Sequence, residues 1–441
     1  MNMSDVAVSS PATAAKPTER RADPYIWGSY ILLVVFSIIE LFSASSQQVS
    51  VNNIYAPLIS HVGFLVAGFI IMLLLQRVHY THIIRYIPIY VIASIVLMVL
   101  VLVCGTNING ELRAIKIFGF MIVPAEFLKL AVALGIALLL SRYRTRENGE
   151  NDVATAGVVL SALLVGVSSA LLFNQGLTNT LLLMSISVGM MILGGISWRK
   201  LGVVLLVYLA FGGVALAVKF ISASNHEATP EQIELARINQ EDVNAVDRDN
   251  RATTWKGRIS RHLRSEKWKD AVDDQNKQEQ LSFMAQARGG LLGQGIGKSR
   301  ENARLPLAFS DYIFAIMVEE LGLFVSIFVI LLYLFLLGRA GRLAMTVKSS
   351  PACLLVIGCA LVICLQALFH VAIVVGVFPV SGQPLPLISK GGISIIATSL
   401  ALGIMLSTSK WATRNSDDED SFLQELSSLP EELATNNPSQ I

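Results

Sequence analysis

Charged residues are scarce in this sequence. They make up 15% of its 441 residues, against roughly a quarter in an average soluble domain. Hydrophobic residues reach 53%, and the mean hydropathy is strongly positive. These proportions exclude a water-soluble globular protein and predict a polytopic membrane protein. The net charge is only +2, and we expect no nucleic-acid partner.

Cysteine is also rare, and its positions exclude two common roles. The four cysteines, Cys104, Cys353, Cys359 and Cys364, fall within or at the edges of apolar runs. Their spacing fits no metal site. We interpret them as small apolar packing residues and expect no disulfide bonds.

Apolar runs of about 20 residues, long enough to cross a bilayer as helices, recur along the chain. They predict an all-α bundle of ten transmembrane helices with one large extracytoplasmic loop. The ten predicted spans are 26–45, 58–76, 84–104, 121–141, 154–173, 176–194, 200–221, 309–337, 352–378 and 390–409. The predicted regions are an N-terminal tail (1–25), spans one to seven (26–221), the loop (222–308), spans eight to ten (309–409) and a C-terminal tail (410–441). The first 23 residues lack an apolar core, so no cleavable secretion signal is expected.

Lys and Arg near the span ends predict the orientation, because these residues are retained on the cytoplasmic side of a membrane. Basic residues flank alternate ends of the predicted spans, at Arg20, Arg21, Arg77, Arg85, Arg142, Arg144, Arg339, Arg342, Lys410 and Arg414. We therefore expect a multi-pass protein of the cytoplasmic (inner) membrane with both termini in the cytoplasm. The acidic run from Ser416 to Asp420 suggests a solvated, disordered tail.

Three carboxylates, Asp311, Glu319 and Glu320, stand in predicted span eight. An ionised carboxylate at membrane depth is costly, so such acids either function or pair with cations. Asp311 lies at the water-facing end, and Glu319 would lie about 12 Å deeper along a helix. We interpret Asp311 as functional, and Glu319 and Glu320 as structural partners of buried cations. Glu126 and Lys129, three residues apart in span four, form either a structural ion pair or a functional pair.

The large loop combines a basic cluster with glycines. Lys256, Arg258 and Arg261 precede a glycine-rich run from Gly289 to Gly297. Guanidinium groups and the backbone N–H groups of such a loop can bind phosphate oxygens. A glycine run alone is more often a turn, but the neighbouring cations favour an anion-binding role.

A second outer element contains three prolines and four glycines between Gly376 and Gly392, which excludes a regular helix. Broken backbone at membrane depth is tolerated where it is buried in protein or lines a wet cavity. We therefore expect this segment, with Ser389 and Lys390 near its end, to form a cavity wall. Arg113, between spans three and four, is expected on the same side.

Several of these motifs, in this order, resemble those of the SEDS family of bacterial cell-wall proteins, the FtsW and RodA group. The strongest matches are Leu305-Pro306, Ser310–Ala315, Glu319–Gly322 and the Pro-Leu-Pro-Leu-Ile-Ser core of Gly376–Gly392; supporting matches are Ser43–Ser45, Asn109-Gly110, Arg113, Pro124, Glu126, Lys129 and Gly289–Gly297. The sequence departs from the family at three places. Lys390 stands where Tyr is usual, and Ala125 stands where Ser is common. The segment Asn174–Thr180 replaces a turn that usually contains Pro-Asp.

The resemblance implies a ten-span glycosyltransferase that polymerises lipid II, an undecaprenyl-pyrophosphate-linked disaccharide peptide, at the outer face of the cytoplasmic membrane. It also implies a class B penicillin-binding protein transpeptidase and other divisome proteins as partners. The charged tails and the run Thr254–Arg258 favour the division type over the elongation type. The family's essential outer-loop aspartate corresponds to Asp311.

Polymerising an α-linked lipid pyrophosphate into a β-linked glycan inverts the anomeric carbon, which requires a base and positive charge at the leaving pyrophosphate. Asp311 is the candidate base. The candidate substrate-binding residues are Lys256, Arg258, Arg261, Ser389 and Lys390, with Arg113 and Lys129 as further cations. A divalent cation, Mg²⁺ or Mn²⁺, could assist, although no metal ligands are assigned.

Two other functions stay open at this stage. A flippase for a lipid-linked cell-wall precursor would depend on mid-membrane residues such as Glu126, Lys129, Glu319 and Glu320. A non-catalytic scaffold of a cell-wall synthase would tolerate loss of Asp311. A polymerase would instead depend on Asp311 and the outer loops.

Overall fold

The computed structural model describes residues 20–44, 56–108, 111–117, 120–147, 150–173, 175–224, 262, 268, 272 and 276–435. The helices in this part of the chain are α1 (Pro24–Ala44), α2 (Ala56–Arg77), α3 (Tyr80–Cys104), α4 (Pro124–Arg142), α5 (Thr155–Phe173), α6 (Leu177–Leu193), α7 (Trp198–Ser224), α8 (Lys277–Gly289), α9 (Ile313–Thr346), α10 (Ser350–Val374), α11 (Gly392–Trp411), α12 (Glu419–Ser428) and α13 (Glu431–Thr435). The strands are β1 (Thr106–Ile108), β2 (Glu111–Ile117), β3 (Phe120–Ile122), β4 (Arg144–Glu147) and β5 (Glu150–Val153).

Ten helices of the described chain have the apolar composition of membrane spans. Eight are long and apolar enough to cross a bilayer, namely α2, α3, α4, α5, α7, α9, α10 and α11. Two shorter apolar helices, α1 and α6, accompany them. Each predicted span overlaps one of these ten helices, because bilayer thickness sets the length of an apolar run. The all-α polytopic class is confirmed, while the number of ten crossings stays a prediction.

Helices α4, α10 and α11 form the interior of the bundle, and most of their residues are buried. Small residues let neighbouring helices approach them closely, as is usual between helices in membranes. A Cβ added at Gly403 of α11 would lie 2.9 Å from Leu75 of α2, and one at Gly358 of α10 would lie 2.9 Å from Met190 of α6. Larger side chains at these crossings would therefore force the helices apart.

Two small antiparallel sheets occupy positions where hydropathy predicts only loops. β1, β2 and β3 pair in that order between α3 and α4, and β4 pairs with β5 between α4 and α5. The second sheet is joined to α7, because Lys200 Nζ donates to Asp152 Oδ2 at 2.6 Å. Burial alone would raise the pKa of Asp152, but hydrogen bonds from Lys200 and from the amides of Val153 and Ser197 lower it.

Predicted span eight differs from the structure at both ends. Its helix, α9, begins at Ile313 rather than at residue 309 and continues to Thr346 rather than residue 337. Gly322 has φ 84° and ψ 170°, which separates a short first part, 313–321, from the long remainder. A Cβ added at Gly322 would lie 2.5 Å from the backbone N of Gly293. The break therefore requires glycine on both conformational and steric grounds.

The glycine-rich run of the large loop closes around this break. The amide of Gln294 donates to Glu319 O at 2.8 Å, and the amide of Gly295 donates to Glu320 O at 2.9 Å. The amide of Gly297 donates to the Glu320 carboxylate at 3.1 Å. These amides are used within the protein, so the anion-binding interpretation is wrong for them and the alternative of a turn is correct.

The C-terminal tail is folded against the bundle through residue 435, so the prediction of a disordered tail is wrong. Phe422 of α12 is buried. Asp417 accepts a hydrogen bond from Arg20, and Glu425 accepts one from the Tyr80 hydroxyl. Of the acidic run that suggested disorder, Asp417 is thus bound to the N-terminal segment, while Glu425, which follows that run, attaches α12 to α3.

Candidate active site

Asp311 lies in the turns that lead into α9, directly before the N-cap residue Tyr312. Its amide donates to Leu307 O at 3.0 Å. The side chain is half-buried, whereas Tyr312 is fully buried. From this point α9 runs to Thr346, whose carbonyl accepts the amide of Asn415 at 2.9 Å. Asp311 therefore lies at the end of the bundle opposite the folded C-terminal tail.

The broken segment 376–392 reaches the turn that precedes Asp311. The amide of Lys390 donates to Phe309 O at 3.0 Å, and Ser389 Oγ donates to Ser310 O at 2.6 Å. Ser389 Oγ also accepts the amide of Leu385 at 2.7 Å. Residues almost 80 positions apart in the sequence are in this way joined at one end of the bundle. The buried hydroxyl of Ser389 is used in this junction, so it positions the turn.

Lys390 brings a cation to the same place. Its Nζ lies 5.5 Å from the centroid of the Phe309 ring, which provides a cation–π contact. Burial lowers the pKa of Lys390. A partly desolvated ammonium beside the aspartate's turn interacts more strongly with an anion than one in bulk water does.

Glu126 and Lys129 form an ion pair in the interior, and a third residue completes it. Lys129 Nζ donates to Glu126 Oε1 at 2.7 Å and to Gln366 Oε1 at 3.0 Å, while Gln366 Nε2 donates to Glu126 Oε2 at 3.1 Å. The side chain of Lys129 is fully buried. Gln366 Nε2 also lies 3.3 Å from Pro384 O. The triad therefore supports segment 376–392, and the Lys129 ammonium is bound within it.

Glu319 and Glu320 are buried, as expected, but the outer loop also reaches both of them, which the sequence did not predict. Glu319 accepts hydrogen bonds from Ser299 Oγ and from the amide of Arg300, and its Oε1 lies 3.8 Å from Arg288 Nη1. Glu320 is held by Ser43 Oγ and by the Gly297 amide. A cation partner is present for Glu319, whereas within the described residues the hydrogen-bond partners of the Glu320 carboxylate are neutral groups.

The side chains of four predicted cations lie outside the part of the chain that the structure describes. Lys256, Arg258 and Arg261 lie outside the described residues. Arg113 lies on β2, and its side chain is also outside what the structure describes. Their roles stay predictions.

A metal site made of protein side chains alone is absent from the described part of the chain. No group of three or more His, Cys, Asp or Glu residues there could hold a metal ion. Mg²⁺ is commonly bound by one or two carboxylates together with substrate phosphates. Asp311, as a single half-buried carboxylate, fits that arrangement.

Sequence reasoning missed several polar residues of the bundle. Gln366, a lone amide in an apolar run, binds both members of the Glu126–Lys129 pair. Asn179 accepts a hydrogen bond from Gln383 Nε2 at 2.7 Å, which links segment 376–392 to the turn that departs from the family pattern. A polar side chain within a run of about 20 apolar residues is the signal that could have identified Gln366.

Glu40 is a further missed residue. It is fully buried in α1, and neither carboxylate oxygen has a hydrogen-bond partner among the described residues. The nearby Glu320 interacts with it electrostatically. An isolated acid in the first apolar run was the available signal.

A family model supplies the context for this site. The FtsW/RodA/SpoVE family, described as cell cycle proteins, matches residues 24–414, a range that includes all ten apolar helices and Asp311. The chain belongs to this family. The resemblance inferred from the motifs is therefore confirmed.

Relatives and solved structures agree with this membership. A probable peptidoglycan glycosyltransferase FtsW of Trichlorobacter lovleyi is 28% identical over 385 residues, which cover 86% of this chain and 91% of that protein. The stage V sporulation protein E of Bacillus subtilis is 25% identical, covering 87% and 95% of the two chains.

Two solved structures share the fold. One is a chain from work on the coordination of polymerization and crosslinking by a peptidoglycan synthase complex, with a TM-score of 0.63, 23% identity and coverage of 90% of this chain and 99% of that one. The other is the Thermus thermophilus rod shape determining protein RodA, with a TM-score of 0.59, 21% identity and coverage of 90% and 98%. At these identities the structures establish the polytopic helical fold alone.

Proposed function

We propose that the protein is a peptidoglycan glycosyltransferase that polymerises lipid II at the outer face of the cytoplasmic membrane during cell division. Family membership and the names of the relatives support this activity. The observation that carries it is the junction between the turn before Asp311 and the segment that ends near Lys390. It brings a half-buried carboxylate and a half-buried cation onto two adjoining segments, at the end of the bundle opposite the C-terminal tail.

The proposed reaction is a single displacement with inversion. The acceptor hydroxyl oxygen forms a bond to the donor's anomeric carbon while its proton passes to the Asp311 carboxylate. The bond between that carbon and the pyrophosphate oxygen breaks, and the lipid pyrophosphate leaves. Lys390 stabilises the charge that develops on the leaving group.

Further groups would complete the anion site. Lys256, Arg258, Arg261 and Arg113 are proposed to contact the pyrophosphate. A divalent cation, Mg²⁺ or Mn²⁺, would be held mainly by the substrate phosphates, where it would supply Lewis-acid stabilisation. Lys129 is proposed to act indirectly, because its ammonium is already bound by Glu126 and Gln366.

The proposed membrane orientation and partner proteins are consistent with this reaction. Both termini face the cytoplasm, and Asp311 faces the outer side of the inner membrane. A class B penicillin-binding protein transpeptidase and other divisome proteins are the proposed partners. The likeness to a chain from a peptidoglycan synthase complex supports the assembly.

The decisive experiment measures glycan strands formed from lipid II by the purified full-length protein, with and without the class B transpeptidase. Asp311→Asn should abolish polymerisation while the protein stays folded. Asp418→Asn is the matched control, because it removes one exposed carboxylate near the opposite end of the bundle and should leave activity unchanged. Polymerisation by folded Asp311→Asn would refute the proposal and favour the flippase or scaffold.

A further inference from the structure

A polar cavity lies at the end of the bundle that carries the folded C-terminal tail, opposite to Asp311. It has a volume of about 270 Å³. Its walls come from the N-terminal segment, the turn between α2 and α3, the end of α11 and the tail helix α12. The proposed polymerase reaction uses none of these residues.

The cavity is rich in groups that can carry positive charge. Arg20, His79, His82 and Lys410 line it, of which His79 contributes least because burial and the neighbouring His82 lower its pKa. Lys410 Nζ lies 4.6 Å from the centroid of the Trp411 ring, and so it is held at the cavity wall. Basic side chains from three separate parts of the sequence therefore converge on one space.

The two carboxylates of the cavity are directed into protein contacts. Asp417 accepts hydrogen bonds from Arg20 and from the amide of Arg414. Glu425 accepts from the Tyr80 hydroxyl and from the Thr413 amide. Burial raises the pKa of Glu425. Arg20 and Asp417 thus offset each other in charge, and the anion-binding character of the cavity depends on Lys410 and His82.

The position of the cavity indicates the source of such a ligand. Trp411, a residue type enriched at membrane–water interfaces, ends the membrane helix α11 and donates through Nε1 to Gln76 O at 3.2 Å. The exposed His82 lies in the first turn of α3. The cavity is thus at the level where lipid headgroups meet water.

We propose that this cavity binds a phosphate-bearing anion, namely the headgroup of an acidic phospholipid of the cytoplasmic leaflet. The proposal rests on the cytoplasmic orientation given above. Basic pockets between membrane helices on that side are suited to anionic headgroups, and charge-assisted hydrogen bonds from Arg and Lys suit phosphate oxygens. The lipid would link the N-terminal segment, α3 and the tail helix.

The test is native mass spectrometry of the purified full-length protein with equimolar phosphatidylglycerol and phosphatidylcholine. The wild type should retain phosphatidylglycerol preferentially. Lys410→Gln should weaken that retention about fivefold, the effect expected for one basic residue at an anionic surface, and adding His82→Gln should weaken it further. Arg85→Gln is the control, because it removes an exposed cation from the same helix as His82 but outside the cavity.

A parallel arm adds inorganic phosphate as competitor. Displacement of the lipid by millimolar phosphate would identify a general phosphate site, and resistance would identify a headgroup site; both outcomes support binding of a phosphate-bearing anion. No preference for phosphatidylglycerol, or equal losses in Lys410→Gln and Arg85→Gln, would overturn the proposal. Lipid II polymerisation is measured on the same samples and should not depend on His82, so failure here is distinguishable from failure of the proposed activity.

Discussion

Neutralising Glu126 alone should be one of the most damaging single changes in the bundle. In Glu126→Gln the ammonium of Lys129 would keep Gln366 Oε1, 3.0 Å away, but would lose the carboxylate at 2.7 Å. Since Lys129 is fully buried, the remaining charge has no access to water. Breaking a buried pair in this way costs about 3–5 kcal/mol.

The double variant Glu126→Gln/Lys129→Met should recover most of that loss. It removes both charges, keeps similar volumes and leaves the introduced amide at position 126 able to bond to the amide of Gln366. Replacing a buried ion pair by residues of similar volume is often close to neutral. The free energies of unfolding, measured in mixed micelles for the wild type, both single variants and the double variant, should give a coupling energy of about 3 kcal/mol.

Activity measurements on the same four proteins test the position of Lys129. If it acts only by supporting segment 376–392, the stable double variant keeps measurable lipid II polymerisation. A double variant that is fully folded but inactive would show that Lys129 contacts substrate, as the sequence motif first suggested. Single-variant losses that simply add would refute the reasoning, because independent residues show no coupling.

Two other substitutions test unusual features of the bundle. Glu40→Gln should leave stability equal to or above that of the wild type, because the buried carboxyl beside Glu320 has no hydrogen-bond partner among the described residues and an uncharged side chain costs less to bury; a loss of more than about 2 kcal/mol in unfolding measurements would contradict this. Gly322→Ala should destabilise by at least about 1–3 kcal/mol, the range for strained backbone. Gly338→Ala in the same helix, where an added Cβ meets nothing within 4 Å, should be neutral or stabilising, and equal effects of the two alanine substitutions would rule out the proposed strain.

The positions of the ten apolar helices could be predicted from sequence because a helix needs about 20 apolar residues to cross a bilayer. The break in α9 could not. Gly322 is flanked by leucines in an apolar run, and its backbone conformation depends on the loop around Gly293, which packs against it. The apolar pattern therefore predicts an unbroken helix through Gly322. The residue that packs against it and accompanies the break, Gly293, lies about thirty positions earlier in the sequence.

Contacts between charged and polar side chains also fall into two groups, those that the sequence reveals and those that it does not. The Glu126–Lys129 pair is visible in sequence because residues three apart are neighbours on one face of a helix. Gln366 joins that pair from more than 200 positions away, and the junction of Ser389 with Ser310 spans almost 80. Such contacts follow from the packing of α4, α9 and α10, which hydropathy does not specify.

The break in α9 also decides what holds the candidate base in place. Asp311 precedes the short first part of α9, which is separated from the long membrane part at Gly322 and enclosed by the loop through Gln294 and Gly295. Segment 376–392 holds the turn before it from the other side through Ser389 and Lys390. The carboxylate is therefore positioned by hydrogen bonds of two irregular segments more directly than by the long helix, so changes in either segment can displace it while the bundle stays intact.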